Sequence, residues 1–218
     1  TTRITLSELA VTRPGATRVF QAHGLDFCCG GHRPLTEACR AKGLDANSIL
    51  GAIEREEARP DDLTEWTLRP LGELADHIEG HYHARLRREL PELVAMAEKV
   101  ERVHAGKPDV PSGLAEHLRT IHAAVLAHLA KEEQLLFPMI RAGRGPAMGG
   151  PVRVMEDEHE DHGRNLRRTR ERTGNLVAPP GACATWRALY LRLAAFEAEL
   201  MEHIHLENNV LYPRALCS

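Results

Sequence analysis

One pattern occurs twice in this chain, and it restricts the fold more than any other feature. His128-Leu-Ala-Lys-Glu132 runs on into Glu-Gln-Leu-Leu-Phe137-Pro138, and His203-Ile-His-Leu-Glu207 runs on into Asn-Asn-Val-Leu-Tyr212-Pro213. Both read His-x-x-x-Glu, with an aromatic-Pro pair starting five residues after the Glu. Each also has a partner histidine at nearly equal separation, His83 before His128 by 45 residues and His159 before His203 by 44. Self-similarity of this kind marks a duplicated structural unit. The unit is a helical hairpin that offers one His from its first helix and a His-x-x-x-Glu from its second.

The spacing suits a metal. Residues four apart on a helix share a face, one turn apart, so the His and Glu of each pair can point at the same or adjacent ions. Each half supplies two imidazoles and one carboxylate. Two halves facing across a bundle give a pair of ions bridged by the two carboxylates, as in the di-iron sites of helical bundles. Nitrogen and oxygen donors without a thiolate suit iron or manganese better than a closed structural zinc site, and spacing alone does not separate the two metals. Six ligands over two ions leave positions open for a small diatomic molecule, or for release of the metal. With 13 His in 218 residues, chance alone supplies about one or two His-x-x-x-Glu pairs. The shared tail and the matched partner histidines set these two apart.

The rest of the chain fits an all-α fold. Aromatics are 4% of residues, strand-type alternation is scarce, and Ala, Leu, Glu and Arg favour helix. Breaker residues mark three short helices, Thr5 to Gln21, Arg33 to Ala41 and Asp45 to Arg59, then a linker at 59–62. Long helices follow at about 70–104, 113–141, 151–174 and 182–212, with Pro91 expected to kink the first. Leu114, Leu118, Ile121, Val125 and Leu129 show the helical stripe that enters a core. A small helical domain over 1–60 and an up-down four-helix bundle over 66–218 are therefore expected. The net charge of -3, from 28 basic and 31 acidic residues, offers no field for a phosphate backbone, so nucleic acid is not an expected partner. No apolar run approaches the roughly 20 residues of a membrane span, and TTRITLSELA does not read as a leader, so a cytoplasmic protein is expected.

Asp26-Phe-Cys-Cys-Gly-Gly31 and the two His-x-x-x-Glu stretches, in this order, resemble the RIC proteins ("repair of iron centers"), the YtfE/ScdA-type di-iron proteins. The resemblance covers nearly the whole chain. It implies a hemerythrin-like C-terminal domain whose ligands are His83, His128 and Glu132 from one half and His159, His203 and Glu207 from the other. The glutamates would bridge two iron ions, with an oxo bridge beside them. The implied role is protection or repair of iron-sulfur clusters damaged by nitric oxide or peroxide, by supplying iron, with iron-sulfur proteins as clients. His205 is a departure from the family pattern. Two positions from His203 it faces about 200° away, so it reads as a surface or packing residue.

Five cysteines, Cys28, Cys29, Cys39, Cys183 and Cys217, form no regular framework, which points to a reducing compartment. Adjacent Cys28 and Cys29 cannot copy a C-x-x-C knuckle. They read either as an exposed thiol pair for iron transfer, cluster docking or reaction with nitric oxide, or as one buried and one exposed structural Cys. His77, His81, His122 and His162 read as solvent or packing residues near the site, and Arg164 to Arg172 as a solvated helix face. Three functions share the metal site: cluster repair, reduction of nitric oxide or peroxide, and binding of O2 as carrier or sensor. The Cys-Cys-Gly-Gly unit favours repair, because an oxygen carrier has no use for it. Whether two copies pair as a homodimer is left open.

Overall fold

The computed structural model describes residues 4–59 and 62–217. It is all-α: among the described residues the sheet-like pairing is confined to one isolated bridge, Thr5 to Pro34. The chain forms two compact units, one of Thr1–Asp76, Met139–Val152 and Met201–Ser218, the other of His77–Pro138 and Arg153–Leu200.

The first unit opens with α1 (Leu6–Thr12), α2 (Ala16–Ala22), α3 (Leu35–Ala41) and α4 (Ala46–Glu56). The single helix expected over 5–21 is two, because Pro14-Gly15 breaks it. Gly15 takes φ +78°, and a Cβ there would meet Glu56 Cβ at 2.7 Å, so only glycine permits the turn. Thr5 starts α1 with a reciprocal capping box to Glu8, and the Asp45 carboxylate caps α4 at Ser48 N–H. Such caps are worth about 1 kcal/mol each. The third helix begins later than expected because Pro34, with φ -58°, occupies its N-cap. Leu6, Leu9, Phe20, Phe27, Leu35, Ile49 and Ile53 fill the core. Of the expected linker at 59–62, positions 60 and 61 lie outside the described residues, and the short α5 (Asp62–Glu65) follows, then α6 (Leu71–His77).

The second unit is built on α7 (Ala84–Val103), α8 (Leu114–Lys131), and residues 153–172 and 184–200 of α10 (Gly149–Arg172) and α11 (Ala184–His205). Between α8 and α10 the chain forms α9 (Phe137–Arg141), whose last three residues belong to the first unit. Cross-helix pairs fix the order around the bundle. Arg119 joins α8 to Glu98 of α7 at 3.1 Å, and His117 joins α8 to Thr169 of α10 at 3.2 Å. Arg170 joins α10 to Glu197 of α11 at 2.8 Å, and Arg192 returns from α11 to Glu89 of α7 at 2.5 Å. Rising numbers on one helix meet falling numbers on the next, as His117 with Thr169 and His128 with Glu158 show. The expected up-down bundle is present. The three partly exposed ion pairs among them set register more than stability. Stability comes from stripes at three- and four-residue spacing, Leu86, Leu90, Leu93, Ala97 and Val100 on α7, and Leu114, Leu118, Ile121, Val125 and Leu129 on α8. Each such leucine contributes about 1.5–3 kcal/mol on burial. Helix α7 runs unbroken through Pro91.

Three of the long helices expected to be regular contain a wider π-helical turn: Ile78–His83 between α6 and α7, Glu132–Leu136 after α8, and Leu206–Leu211 between α11 and α12 (Tyr212–Leu216). The aromatic-Pro tail of the repeat explains two of them. Pro138 and Pro213 have no N–H, and their rings crowd the carbonyl four residues back. One extra residue in the preceding turn relieves the clash, and the bonding steps to Phe137 N–H on Glu132 O and Tyr212 N–H on Glu207 O. The first π turn has no such proline. No helix among the described residues is long and apolar enough to cross a membrane.

Candidate metal centre

In the second unit four of the six expected ligands converge. His83 ends the first π turn, His128 lies one turn before the end of α8, Glu132 opens the second π turn, and His159 lies mid-way along α10. Exposure is 0% for His83, Glu132 and His159, and 1% for His128. Glu132 Oε2 lies 3.4 Å from Nε2 of both His83 and His128. His128 Nε2 lies 3.0 Å from His159 Nε2. His128, Glu132 and His159 each offer a donor atom within 4.8 Å of the others, a separation that one ion or an adjacent pair can span.

Behind the histidines stand carboxylates. His83 Nδ1 meets Glu133 Oε1 at 2.8 Å, and Glu133 is gripped by both Arg87 terminal nitrogens, each at 2.8 Å. His128 Nδ1 meets Glu158 Oε2 at 2.9 Å, and Lys131 holds the other oxygen of Glu158. Burial works to raise both carboxyls, but Arg87 with His83 and Lys131 with His128 outweigh it and hold them below the usual range. Ionised carboxylates can only accept, so each Nδ1 carries the proton and each Nε2 turns its lone pair inward. Carboxylate–histidine links of this kind orient metal ligands and raise their basicity.

The widened turn also places Phe137. With i→i+5 bonding, the residue five along from Glu132 comes back close above it rather than across the helix. Phe137, 0% exposed, stacks on the His83 ring at 5.5 Å and 20°. His162, read from the sequence as packing, lies edge-on to His128 at 5.0 Å and is buried. His81 is exposed and stacks on His77 at 5.2 Å; His122 is half-buried.

In the first unit, His203 and Glu207 sit on successive turns, 1% and 0% exposed, with Nε2 to Oε1 at 2.8 Å. His205 is a packing residue: it is 1% exposed, edge-on to Phe27 at 5.5 Å and 2.9 Å from Asn209 Nδ2. Burial pushes it down to about 4, so the ring is neutral at pH 7. The cysteine loop anchors to the same helix end, since Asn208 Nδ2 donates to the Cys28 carbonyl and Asn209 Nδ2 to the Phe27 carbonyl, both at 3.1 Å. Cys28 is buried and Cys29 half-buried, with sulfurs 3.5 Å apart. The Cys29 contact, burial and Asp26 raise Cys28 well above the usual thiol range. Asp26 Oδ1 accepts from the N–H groups of Cys29 and Gly30, each at 3.0 Å. Asp26, Cys28 and Cys29 form a further group able to hold a metal ion. A Cβ at Gly31 would strike the Phe27 carbonyl.

Glu133 and Glu158, behind His83 and His128, escaped the sequence reading. Their partners are 50 and 30 residues away, and no spacing rule links them. The one available sign was adjacency: each lies beside an expected ligand, Glu132 and His159.

The donor set fits a metal. Imidazole lone pairs directed inward beside a fully buried carboxylate gather negative potential where a cation is stabilised, and hard-to-borderline N/O donors match iron or manganese. Fold and donors together define a cation-binding helical bundle. Residues 74–215 match the hemerythrin HHE cation binding domain, and residues 2–57 match the ScdA N-terminal domain, a domain of unknown function (DUF542). The chain is 47% identical over 211 residues, 97% of its length and 96% of the relative's, to the iron-sulfur cluster repair protein YtfE of Pectobacterium carotovorum subsp. carotovorum (strain PC1). Similar matches are the proteins of the same name from Dickeya chrysanthemi (strain Ech1591), 47% identical, and Citrobacter koseri, 46% identical, each over 97% of this chain and 96% of the relative. The chain belongs to this family of hemerythrin-domain iron-sulfur cluster repair proteins.

Proposed function

We propose that this chain repairs iron-sulfur clusters damaged by nitrosative or oxidative stress, and that it does so in the cytoplasm by supplying iron. In this assignment His83, His128, Glu132, His159, His203 and Glu207 hold two iron ions, with Glu132 and Glu207 bridging them. The observation that carries it is the buried set of His83, His128, Glu132 and His159, with the outward nitrogens of His83 and His128 fixed by Glu133 and Glu158. The relatives' role in iron-sulfur cluster repair supports it, as does the second His-x-x-x-Glu turn, built on the same π-helical plan.

Iron is cargo here. Six protein donors across two ions leave them under-coordinated by protein, which favours release to a stronger thiolate acceptor. Residues 66–218 hold the iron, and residues 1–60 present the Cys28–Cys29 loop to the iron-sulfur client. Iron held in this way can also react with nitric oxide, peroxide or O2, which is the competing function.

The test mixes iron-loaded protein with a client whose cluster has been removed and follows recovery of client activity. Recovery in step with iron lost from this protein supports repair by donation. Catalytic consumption of nitric oxide under a reductant, without client recovery, puts the reductase first.

A further inference from the structure

His104 and Cys183 meet at the end of the second unit away from His83. His104 caps the C-terminus of α7, and Cys183 directly precedes α11, a helix of 22 residues. His104 Nε2 lies 3.1 Å from Cys183 Sγ. The imidazole is buried at 6% exposure and packs on Trp186 at 5.0 Å, so its direction is set. The thiol is half-buried and open to solvent. The backbone N–H groups of Trp186 and Thr185 lie beside it in the first turn of α11. These outweigh burial and hold it below the usual thiol range. Cys28 and Cys39 are shifted the opposite way.

Three features converge on one sulfur: a histidine in contact, a helix N-terminus behind it, and access from solvent. Activated nucleophilic cysteines are built this way. The 3.1 Å contact places His104 Nε2 to donate a hydrogen to the sulfur as a thiolate. Trp186, which packs on His104, also lines a cavity of about 80 Å³ with Lys107, Pro108, Asp109, Pro179 and Gly181.

We infer that Cys183 and His104 form a second reactive site, a thiol–imidazole pair that is oxidised by small hydroperoxides. At 1.5 Å per residue it lies roughly 30 Å along α7 from His83, so it is separate from the metal ligands. In the reaction the Cys183 thiolate attacks one peroxide oxygen. The S–O bond forms as the O–O bond breaks, sulfur loses two electrons, and the leaving hydroxide takes back from solvent the proton that the thiol released on ionising, departing as water. The product is a sulfenic acid, which an added thiol can reduce.

The experiment exposes the full-length protein to hydrogen peroxide at pH 7 with a sulfenic-acid trapping reagent and reads each cysteine by peptide mass spectrometry. Cys217 is exposed and serves as the internal reference. Cys183 is expected to trap at least about tenfold faster than Cys217, and His104→Gln to remove most of that advantage while Cys217 is unchanged. Equal rates at Cys183 and Cys217 in the unaltered protein, a comparison that needs no variant, overturn the inference. So does a His104→Gln protein with an unchanged melting temperature in which Cys183 stays fast.

Discussion

Glu133→Gln separates metal orientation from fold stability. The Glu133 carboxylate receives His83 Nδ1 at 2.8 Å and two Arg87 nitrogens at 2.8 Å. The amide has one acceptor oxygen where the carboxylate has two, and its NH₂ faces a second donor. His83 loses the anion that fixes its tautomer and its aim. Loss of such a partner weakens metal binding by about 10- to 100-fold, about 1.4–2.7 kcal/mol at 1.36 kcal/mol per decade. Stability of the metal-free protein is expected to change by less than about 1 kcal/mol, because the Arg87 side chain is 40% exposed and that of Glu133 21%, and such pairs contribute little. Competition for ferrous iron against a chromophoric chelator measures the first quantity, and urea unfolding of metal-free protein measures the second. Glu158→Gln, behind His128, should repeat the result. Iron affinity within about twofold of the parent refutes the orienting role, as does a stability loss that matches the affinity loss.

Glu132→Gln or Glu207→Gln should lower bound iron or uncouple the two ions, because an amide is a poor bridging donor; two coupled irons in both variants, seen by elemental analysis and magnetic susceptibility, would show the bridging assignment to be wrong. Pro138→Ala removes the ring that widens the Glu132–Leu136 turn, and lower iron content with unchanged far-ultraviolet circular dichroism is expected; full iron content would mean that the proline does not set the turn. Acid should destabilise the metal-free protein partly through His117. Burial most of all lowers this group, the Asn165 carbonyl offsets part of the shift, and Arg172 and Arg168 add to it. The unfolded chain then takes up a proton near pH 6.5 while the folded one does not. The stabilisation is intact above that pH and is lost as pH falls through the lower folded value. His117→Gln should flatten the fall in urea-unfolding free energy between pH 7 and pH 5; an unaltered slope contradicts this.

Fold class and metal chemistry were legible because both rest on local spacing. The Leu114 to Leu129 stripe predicts a core-facing helix, and it is buried along its length. The His-x-x-x-Glu pairs mark where the buried donors lie. What local spacing could not convey depends on competition or on distance. Pro14-Gly15 stops a helix that periodicity would continue, since φ +78° at Gly15 is open to glycine alone beside Glu56. Helical period also assumes 3.6 residues per turn, so the π turns were invisible although the prolines that induce two of them were in view. Glu133 and Glu158 were missed because their partners come from other helices. Cys183 was only one of five cysteines without a framework, since nothing in its neighbourhood announces a histidine 79 positions earlier.

A π turn is an α-helix with one residue too many, and that surplus constrains how the chain can vary. Gln134 and Leu135 are exposed in the turn after Glu132, so many side chains would be accepted at either position. Deleting one of them is another matter. The segment would relax to ordinary α-helix, and everything beyond it would swing by about a hundred degrees, carrying Phe137 off the His83 ring. At these positions identity is free and number is fixed, so drift along this stretch should proceed by substitution while insertions and deletions are purged.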